Sequence, residues 1–532
     1  MVLFFCFLLL IFAWLCVLGN FSSGGCSFSL WGGCILSSYF NFDFGYYDSI
    51  AYLVLMLLTC STISLLFNYH YFGGYNINSV SLAILLCVFI FIMFTLVMTN
   101  SLFSSLVFWE YLGLVSFLLV AFYDTGSSLR GSIITLVSSR FGDVAFFLLL
   151  SFVFWGGGID MLYICIFCWI IIASKSACFP FSSWLLEAMR APTPVSSLVH
   201  SSTLVAAGTW FLVCYSDKLY FSCFGYLYIF MIACCILTIL YSGLSALNNW
   251  DVKQVVALST CNNISWVLLF GLHGDTTICV LQLMIHAISK CLLFTCVGDY
   301  ILSSYGGQSA NQMSVGYYSN FFLIYILLLL FGLSGLPFVG LYFSKHIFLS
   351  TLCCYNVLSF IILLFLWFCL ILTCAYCTRL FLFFFCREVF SSCVLRVSFN
   401  AGWIILLTIG VYSVFLIYDV EYFCLGFFYN IFLLFSILIG FYVGGVSCIN
   451  ILFGSWVRFL FGQDLLVQLF EHLFLLCSRL ASISLFRWEW YMISFVGNKL
   501  HSGVGWFGGV YFGLCSVFFG LFFIFVVFVV GL

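Results

Sequence analysis

Residues 80–99 read VSLAILLCVFIFIMFTLVMT, twenty positions without one Asp, Glu, Lys, Arg or His. At 1.5 Å per residue a helix of this length reaches about 30 Å, the thickness of a bilayer's hydrocarbon layer, and it satisfies its own backbone groups there. Comparable runs lie near 2–18, 47–68, 102–123, 132–154, 160–178, 195–215, 221–246, 254–272, 275–303, 317–335, 340–355, 357–385, 402–418, 424–446 and 506–531. The pattern predicts an all-α polytopic membrane protein of about fifteen to sixteen spans. The 2–18 run has no basic region before it, so a retained first helix is expected rather than a cleaved signal.

Composition agrees with this reading. Of 532 residues 65% are hydrophobic and 6% charged, whereas a soluble chain needs about 25% charged residues to cover its surface. A net charge of −2 offers no field for nucleic acid, and the apolar content excludes disorder. The 28 cysteines include two Cys-x-x-Cys pairs, Cys165/Cys168 and Cys374/Cys377. Chance placement gives about 1.5 such pairs, so the cysteines read as small apolar packing residues. Joint enrichment of Phe, Cys, Gly, Val and Trp fits T- and G-rich codons, hence an organellar genome.

Stretch 455–490 differs from the spans. Asp464, Gln468, Glu471, His472, Arg479 and Arg487 recur at helical intervals among large apolar residues, which predicts an amphipathic helix lying along a membrane surface or a row of partner helices. The expected divisions are 1–100 (N-terminal spans), 101–390 (core), 391–454 (additional spans), 455–505 (amphipathic helix and linker) and 506–532 (terminal span).

The few ionisable residues sit where lipid should be. Glu110, Arg140, Asp143, Lys175, Asp251, Lys253, Lys290 and Lys345 lie in or at the ends of apolar runs, with His200 and His286. A charge at the bilayer centre costs roughly 2.5–3.5 kcal/mol on insertion scales, so these groups should face protein or water and pair with one another. Carboxylate, lysine and histidine together make a proton path. Arg379 and Arg387, near a span end, are expected to snorkel. Ser201, Ser202 and Thr203 follow His200 and are expected to hold water beside it. All four prolines cluster near two lysines: Pro180, Pro192 and Pro194 follow Lys175, and Pro337 precedes Lys345. Each lysine is therefore expected beside a helix break, and paired breaks suggest a core of inverted repeats.

The run from Ser174-Lys175-Ser176-Ala177 through Trp184-Leu185 and Ala188-Met189 to Ala191-Pro192-Thr193-Pro194-Val195-Ser196-Ser197-Leu198-Val199-His200 and on to Gly208 resembles the signature of the chain 5 family of NADH:ubiquinone oxidoreductase, respiratory complex I. Trp109-Glu110, Arg140-Phe141-Gly142-Asp143, Asp251-Val252-Lys253, His286-Ala287 with Lys290, and Phe343-Ser344-Lys345 follow in family order. The likeness is good over about residues 40–350. It implies an antiporter-like subunit that passes protons while other subunits carry electrons. Glu110 and Lys175 would form the first charge pair with Arg140 and Asp143 nearby; His200 and Lys290 would lie on a central hydrophilic axis, and Lys345 at the exit. Asp251, Lys253 and His286 match further motif positions.

The same resemblance implies no cofactor on this chain, NADH, FMN, iron–sulfur clusters and ubiquinone elsewhere in the complex, and the mitochondrial inner membrane as location. Expected partners are membrane lipids and the other membrane-arm subunits, including neighbouring antiporter-like chains contacted through a lateral helix. Two positions depart from the family pattern. Gln282 stands where a second histidine is usual, and can hydrogen-bond water but not take a proton near neutrality. His346 replaces an acidic residue after the exit lysine. A multisubunit cation/proton antiporter is the alternative function. A cofactor-bearing redox protein using His200, His286 or the cysteines is disfavoured by their spacing.

Overall fold

A computed structural model describes residues 27–28, 42–43, 48–99, 101–155, 161–219, 225–304, 306–309, 320–336, 340–355, 360–385, 427–449 and 464–500. The expected spans 2–18, 402–418 and 506–531 lie outside them, as do Pro337 and Arg387. The chain divides into two units, Met1–Gly462 and Gln463–Leu532.

In the first unit a two-residue antiparallel pair, Ser27–Phe28 with Phe42–Asp43, precedes the helices. These are α1 (Asp48–Tyr71), α2 (Ile77–Met98), α3 (Leu102–Val120), α4 (Gly126–Trp155), α5 (Met161–Lys175), α6 (Ser183–Ala188) and α7 (Thr193–Leu198). A π turn, Val199–Thr203, joins α7 to α8 (Leu204–Leu219). Then come α9 (Gly225–Asn248), α10 (Val252–Leu272), α11 (Thr276–Ser303), α12 (Asn320–Ser334), α13 (Tyr342–Tyr355), α14 (Phe360–Phe385) and α15 (Phe427–Ile449). Among the described residues eight helices are long and apolar enough to cross a membrane. Their ends fall within about seven residues of the sequence reading, the largest differences being at Gly126, Leu227 and Leu364, because apolar run length sets a span while polar ends can extend or shorten its helix.

Burial grades inward. The helices α2, α3 and α4 keep apolar side chains such as Phe91, Leu114 and Phe147 on the outside, as lipid or a partner permits, whereas α10 and α11 are buried along nearly their whole length. Polar residues on these two inner helices therefore face other helices, not lipid.

Both expected breaks are present around their lysines. Lys175 ends α5, and the chain runs on beside α4 through the short α6, with Gly142 against Ser174 and Gly131 against Glu187, before Pro194 opens α7 in its first turn, where the missing proline N–H is no loss. The indole N–H of Trp184 donates to the Ser174 carbonyl at 3.0 Å and closes this break. Ahead of Lys345 the break runs from Ser334 to Tyr342, with Gly335 at φ 81° and Gly340 at φ 54°. A Cβ on Gly340 would fall 2.6 Å from the Gly332 carbonyl oxygen, so glycine alone fits that crossing.

Arg379 corrects an expectation. It is buried rather than snorkelling, and its guanidinium lies 5.6 Å from the Trp250 ring centre and 5.1 Å from that of Phe383. Two aromatic faces supply the attraction that the interface would otherwise provide.

In the second unit α16 (Asp464–Leu500) is a single helix of 37 residues, about 55 Å long. Its described side chains are mostly exposed, including Phe474, Phe486, Trp490, His472, Arg479 and Arg487.

Candidate functional site

The first cluster forms where α3, α4 and α5 meet. Arg140 on α4 stands 3.3 Å from the Asp143 carboxylate one turn along and 3.8 Å from the Glu110 carboxylate on α3. Lys175 is fully buried, with Asp143, Arg140 and Glu110 as its charged neighbours. Its ammonium sits 5.4 Å from the ring centre of Trp109, the residue before Glu110, and has no hydrogen-bond partner in the protein. Gly142 permits this meeting, since any Cβ there would press on the Ser174 side chain beside Lys175. Two carboxylates balance two cations, so a proton can move within the cluster without changing its net charge.

His200 lies across the break. It is buried, neither ring nitrogen has a protein partner, and its ring centre is 6.3 Å from that of Trp184. Lys175 and His200 line one small cavity together with the hydroxyls of Ser116, Thr135, Ser138, Ser139 and Ser174. The expected hydroxyl run after His200 is not what lines it. Ser201 donates to the Ser197 carbonyl, Ser202 to Leu198 at 3.0 Å and Thr203 to Leu198 at 2.9 Å. The π turn shifts these carbonyls out of the regular ladder, and the hydroxyls take up the freed acceptors.

Lys253 is buried and donates to the Ala191 carbonyl at the break before α7, with His200 in its electrostatic range. Asp251 stands apart. It precedes α10, is part-exposed and meets Ser309 in a backbone bridge; among the described residues no ion pair joins it to the others.

The remaining residues gather around α10 and α11. Lys290 donates to the Ser259 hydroxyl and lies 3.5 Å from the Val256 carbonyl oxygen. His286, one turn away, is buried between the influence of Lys290 and Lys345, with both ring nitrogens unpartnered. Lys345, in the first turn of α13, is 3.5 Å from the Thr373 hydroxyl and 5.8 Å from the Trp266 ring centre. The thiols of Cys374, Cys377 and Cys369 lie within its electrostatic range. His346 faces the Tyr342 ring at 5.2 Å. Gln282 is engaged by protein rather than left for water alone, since its amide oxygen accepts from the Ser344 hydroxyl.

Nine of the ten expected residues thus lie in three linked groups, and Asp251 lies outside them. Sequence reasoning missed the neutral polar groups beside them, chiefly Ser139 on the Lys175 cavity, Ser259 at Lys290 and Thr373 at Lys345, with Asn263 and Tyr376 buried on the same helices as the last two. It also missed the contact of the His70 imidazole with the Asp299 carboxylate, 3.1 Å apart, between α1 and α11. The helical spacing of Ser259 and Asn263 was the available signal. Both Cys-x-x-Cys pairs are free thiols on helices, and among the described residues no three His, Cys, Asp or Glu side chains are grouped to hold a metal.

Residues 99–373 match the family described as NADH:quinone oxidoreductase/Mrp antiporter, transmembrane region. The NADH-ubiquinone oxidoreductase chain 5 of Ascaris suum is 37% identical over 55% of this chain and 54% of its own length, so the chain spans about half of that relative. The chain 5 of Locusta migratoria is 34% identical over 70% of this chain and 68% of its own. Among solved structures, the Mrp complex of Dietzia sp. DQ12-45-1b shares the fold at a TM-score of 0.69 and 18% identity, covering 98% of this chain and 59% of that one. An archaeal membrane-bound sulfane sulfur reductase does so at 0.66 and 18%, covering 85% and 93%. With an antiporter-type match over more than half its residues and the Locusta relative covered beyond two thirds, the chain belongs to the NADH-ubiquinone oxidoreductase chain 5 family.

Proposed function

We propose that this chain is a core membrane-arm subunit of NADH:ubiquinone oxidoreductase that translocates protons across the mitochondrial inner membrane, while other subunits pass electrons from NADH through FMN and iron–sulfur clusters to ubiquinone. The observation that carries the reading is the burial of Lys175, His200, His286, Lys290 and Lys345 in one helical body, each at most 3% exposed. Burying five basic groups is costly unless they are used, and a proton path uses them.

In this reading Glu110, Arg140, Asp143 and Lys175 form the entry cluster. The Lys175 ammonium releases its proton through the hydroxyl-lined cavity toward His200, with Lys253 biasing that imidazole. Lys290, His286 and Lys345 carry the charge onward. Each proton moved outward works against roughly 2.3 kcal/mol per 100 mV, so the groups must change state in turn and cannot form an open wire. Asp251, part-exposed and outside the three groups, is left out of this path. Residues 101–390 would be the proton-translocating core, flanked by spans within 1–100 and 391–454. Arg140 is exposed and Glu110 part-exposed at the middle of apolar helices. That exposure supports a neighbouring membrane-arm subunit over this face, and the apolar side chains along α16 support a lateral contact with such neighbours.

The likeness to the Mrp complex favours a second reading, a subunit of a multisubunit cation/proton antiporter. Purification of the tagged chain from its native membranes separates the two. Copurifying flavin and iron–sulfur subunits support the first reading. Sodium/proton exchange by a complex without redox subunits would overturn it.

A further inference from the structure

Resting on the proton-translocating reading, a deeper assignment follows from the way three helices align their polar residues. On α10, Val256, Ser259, Asn263 and Trp266 are spaced by three, four and three residues and share one face. Lys290 is held at Val256 and Ser259, and Lys345 lies over Trp266. Seven residues of helix separate Ser259 from Trp266, so the two lysines are anchored about 10 Å apart along α10.

The other helices repeat this ladder. On α11, Lys290, His286 and Gln282 follow at intervals of four, and Gln282 meets Ser344 beside Lys345. On α14, Thr373 meets Lys345, while Cys377, four residues on, lies within the influence of both lysines. Tyr376 falls between these ends, with its hydroxyl set toward Asn263. The middle level thus holds Asn263, His286 and Tyr376, one side chain from each helix. All three are fully buried; neither ring nitrogen of His286 has a hydrogen-bond partner in the protein, and the Asn263 amide and the Tyr376 hydroxyl have at most each other and the Cys377 thiol within reach, short of full hydrogen-bond geometry.

Direct transfer between the lysines fails on distance, since a proton passes only between groups within about 2.6–3.2 Å or through a bridging water. Buried polar atoms in native proteins are satisfied, and where protein does not do so ordered water with two to four polar partners does.

We propose that Asn263 and Tyr376 are positioning residues that hold bridging water against His286, making the middle step of a proton passage between Lys290 and Lys345. The Lys290 N–H bond breaks as a water O–H bond forms. That water passes on its other proton through His286 and a second water, and the proton ends on the neutral amine of Lys345. Asn263 donates through Nδ2 and accepts through Oδ1, and Tyr376 donates its O–H; neither changes protonation state.

The test compares Asn263→Leu, Asn263→Gln, Tyr376→Phe and Glu110→Gln in the assembled complex in its native membranes. Readouts are complex abundance, protons moved per electron, and the solvent deuterium isotope effect on pumping. Tyr376→Phe keeps the ring and its packing, so it reports on the hydroxyl even where Asn263→Leu impairs assembly. The expected result is pumping lowered about tenfold with a larger isotope effect in Tyr376→Phe and Asn263→Leu, as for loss of one hydrogen bond from the path, and recovery in Asn263→Gln. Normal pumping in Tyr376→Phe and Asn263→Leu beside a defective Glu110→Gln overturns this assignment and leaves the proton-translocating reading standing. Normal pumping in all four overturns both.

Discussion

Ser344 donates its hydroxyl to the amide oxygen of Gln282, tying the helix that carries Lys290 to the first turn of the helix that carries Lys345. Both residues are fully buried. Gln282→Leu removes this acceptor and leaves the Ser344 hydroxyl only the Leu341 carbonyl at 3.1 Å, at a cost of about 0.5–1.5 kcal/mol for the lost hydrogen bond. Thermal inactivation of the assembled complex should shift to lower temperature by similar amounts in Gln282→Leu and Ser344→Ala. The double variant should be no worse than the more damaging single one, because both remove the same bond. Fully additive losses would show that the two side chains act separately.

The break before Lys345 depends on Gly340. Its positive φ and close approach to Gly332 make Gly340→Ala destabilising by about 1–3 kcal/mol, whereas a Cβ on Gly332 meets nothing within 4 Å. Complex abundance should therefore fall in Gly340→Ala and stay near normal in Gly332→Ala. Equal abundance of the two variants would contradict the crossing described for this break.

His273 follows the last turn of α10, outside the spans. Its Nδ1 is 3.4 Å from the Tyr228 hydroxyl, its ring meets Phe348 edge-on at 5.1 Å, and burial lowers its pKa. Above the unfolded value of about 6.5 the ring is neutral in both states and its contribution to stability is complete. As pH falls through that value the unfolded chain takes up the proton first, and stability is lost. The purified complex should melt lower at pH 5.5 than at pH 7.5, and His273→Phe should reduce that difference. An unchanged difference in the variant would remove His273 as a contributor.

Much of this arrangement is legible in the amino-acid sequence. Run length marks the eight described helices long enough to cross, such as those expected at 80–99 and 254–272, since crossing hydrocarbon demands one long apolar helix each time. The expected spans 160–178, 317–335 and 340–355 are described as helices of only fourteen or fifteen residues. Proline beside lysine locates the break after Lys175. The charged members of the site stand out because charge in an apolar run is conspicuous. Asn263, Tyr376 and Ser259 do not, as neutral polar residues occur on many helices and only packing shows which face inward. Arg379 departs from its expected snorkelling because a sequence near a span end does not reveal two aromatic rings beside it. Ser201 and Thr203 depart from theirs because a π turn takes their hydroxyls for the backbone.

The central claim is that buried charge in this chain exists to move protons, and Lys175 with Glu110 tests it most directly. Protons moved per electron should be measured in the assembled complex carrying Glu110→Gln or Lys175→Ala, with ubiquinone reduction followed in the same membranes. The account predicts that both variants assemble and that this ratio falls below that of the unaltered complex. An unaltered ratio in either assembled variant would contradict it.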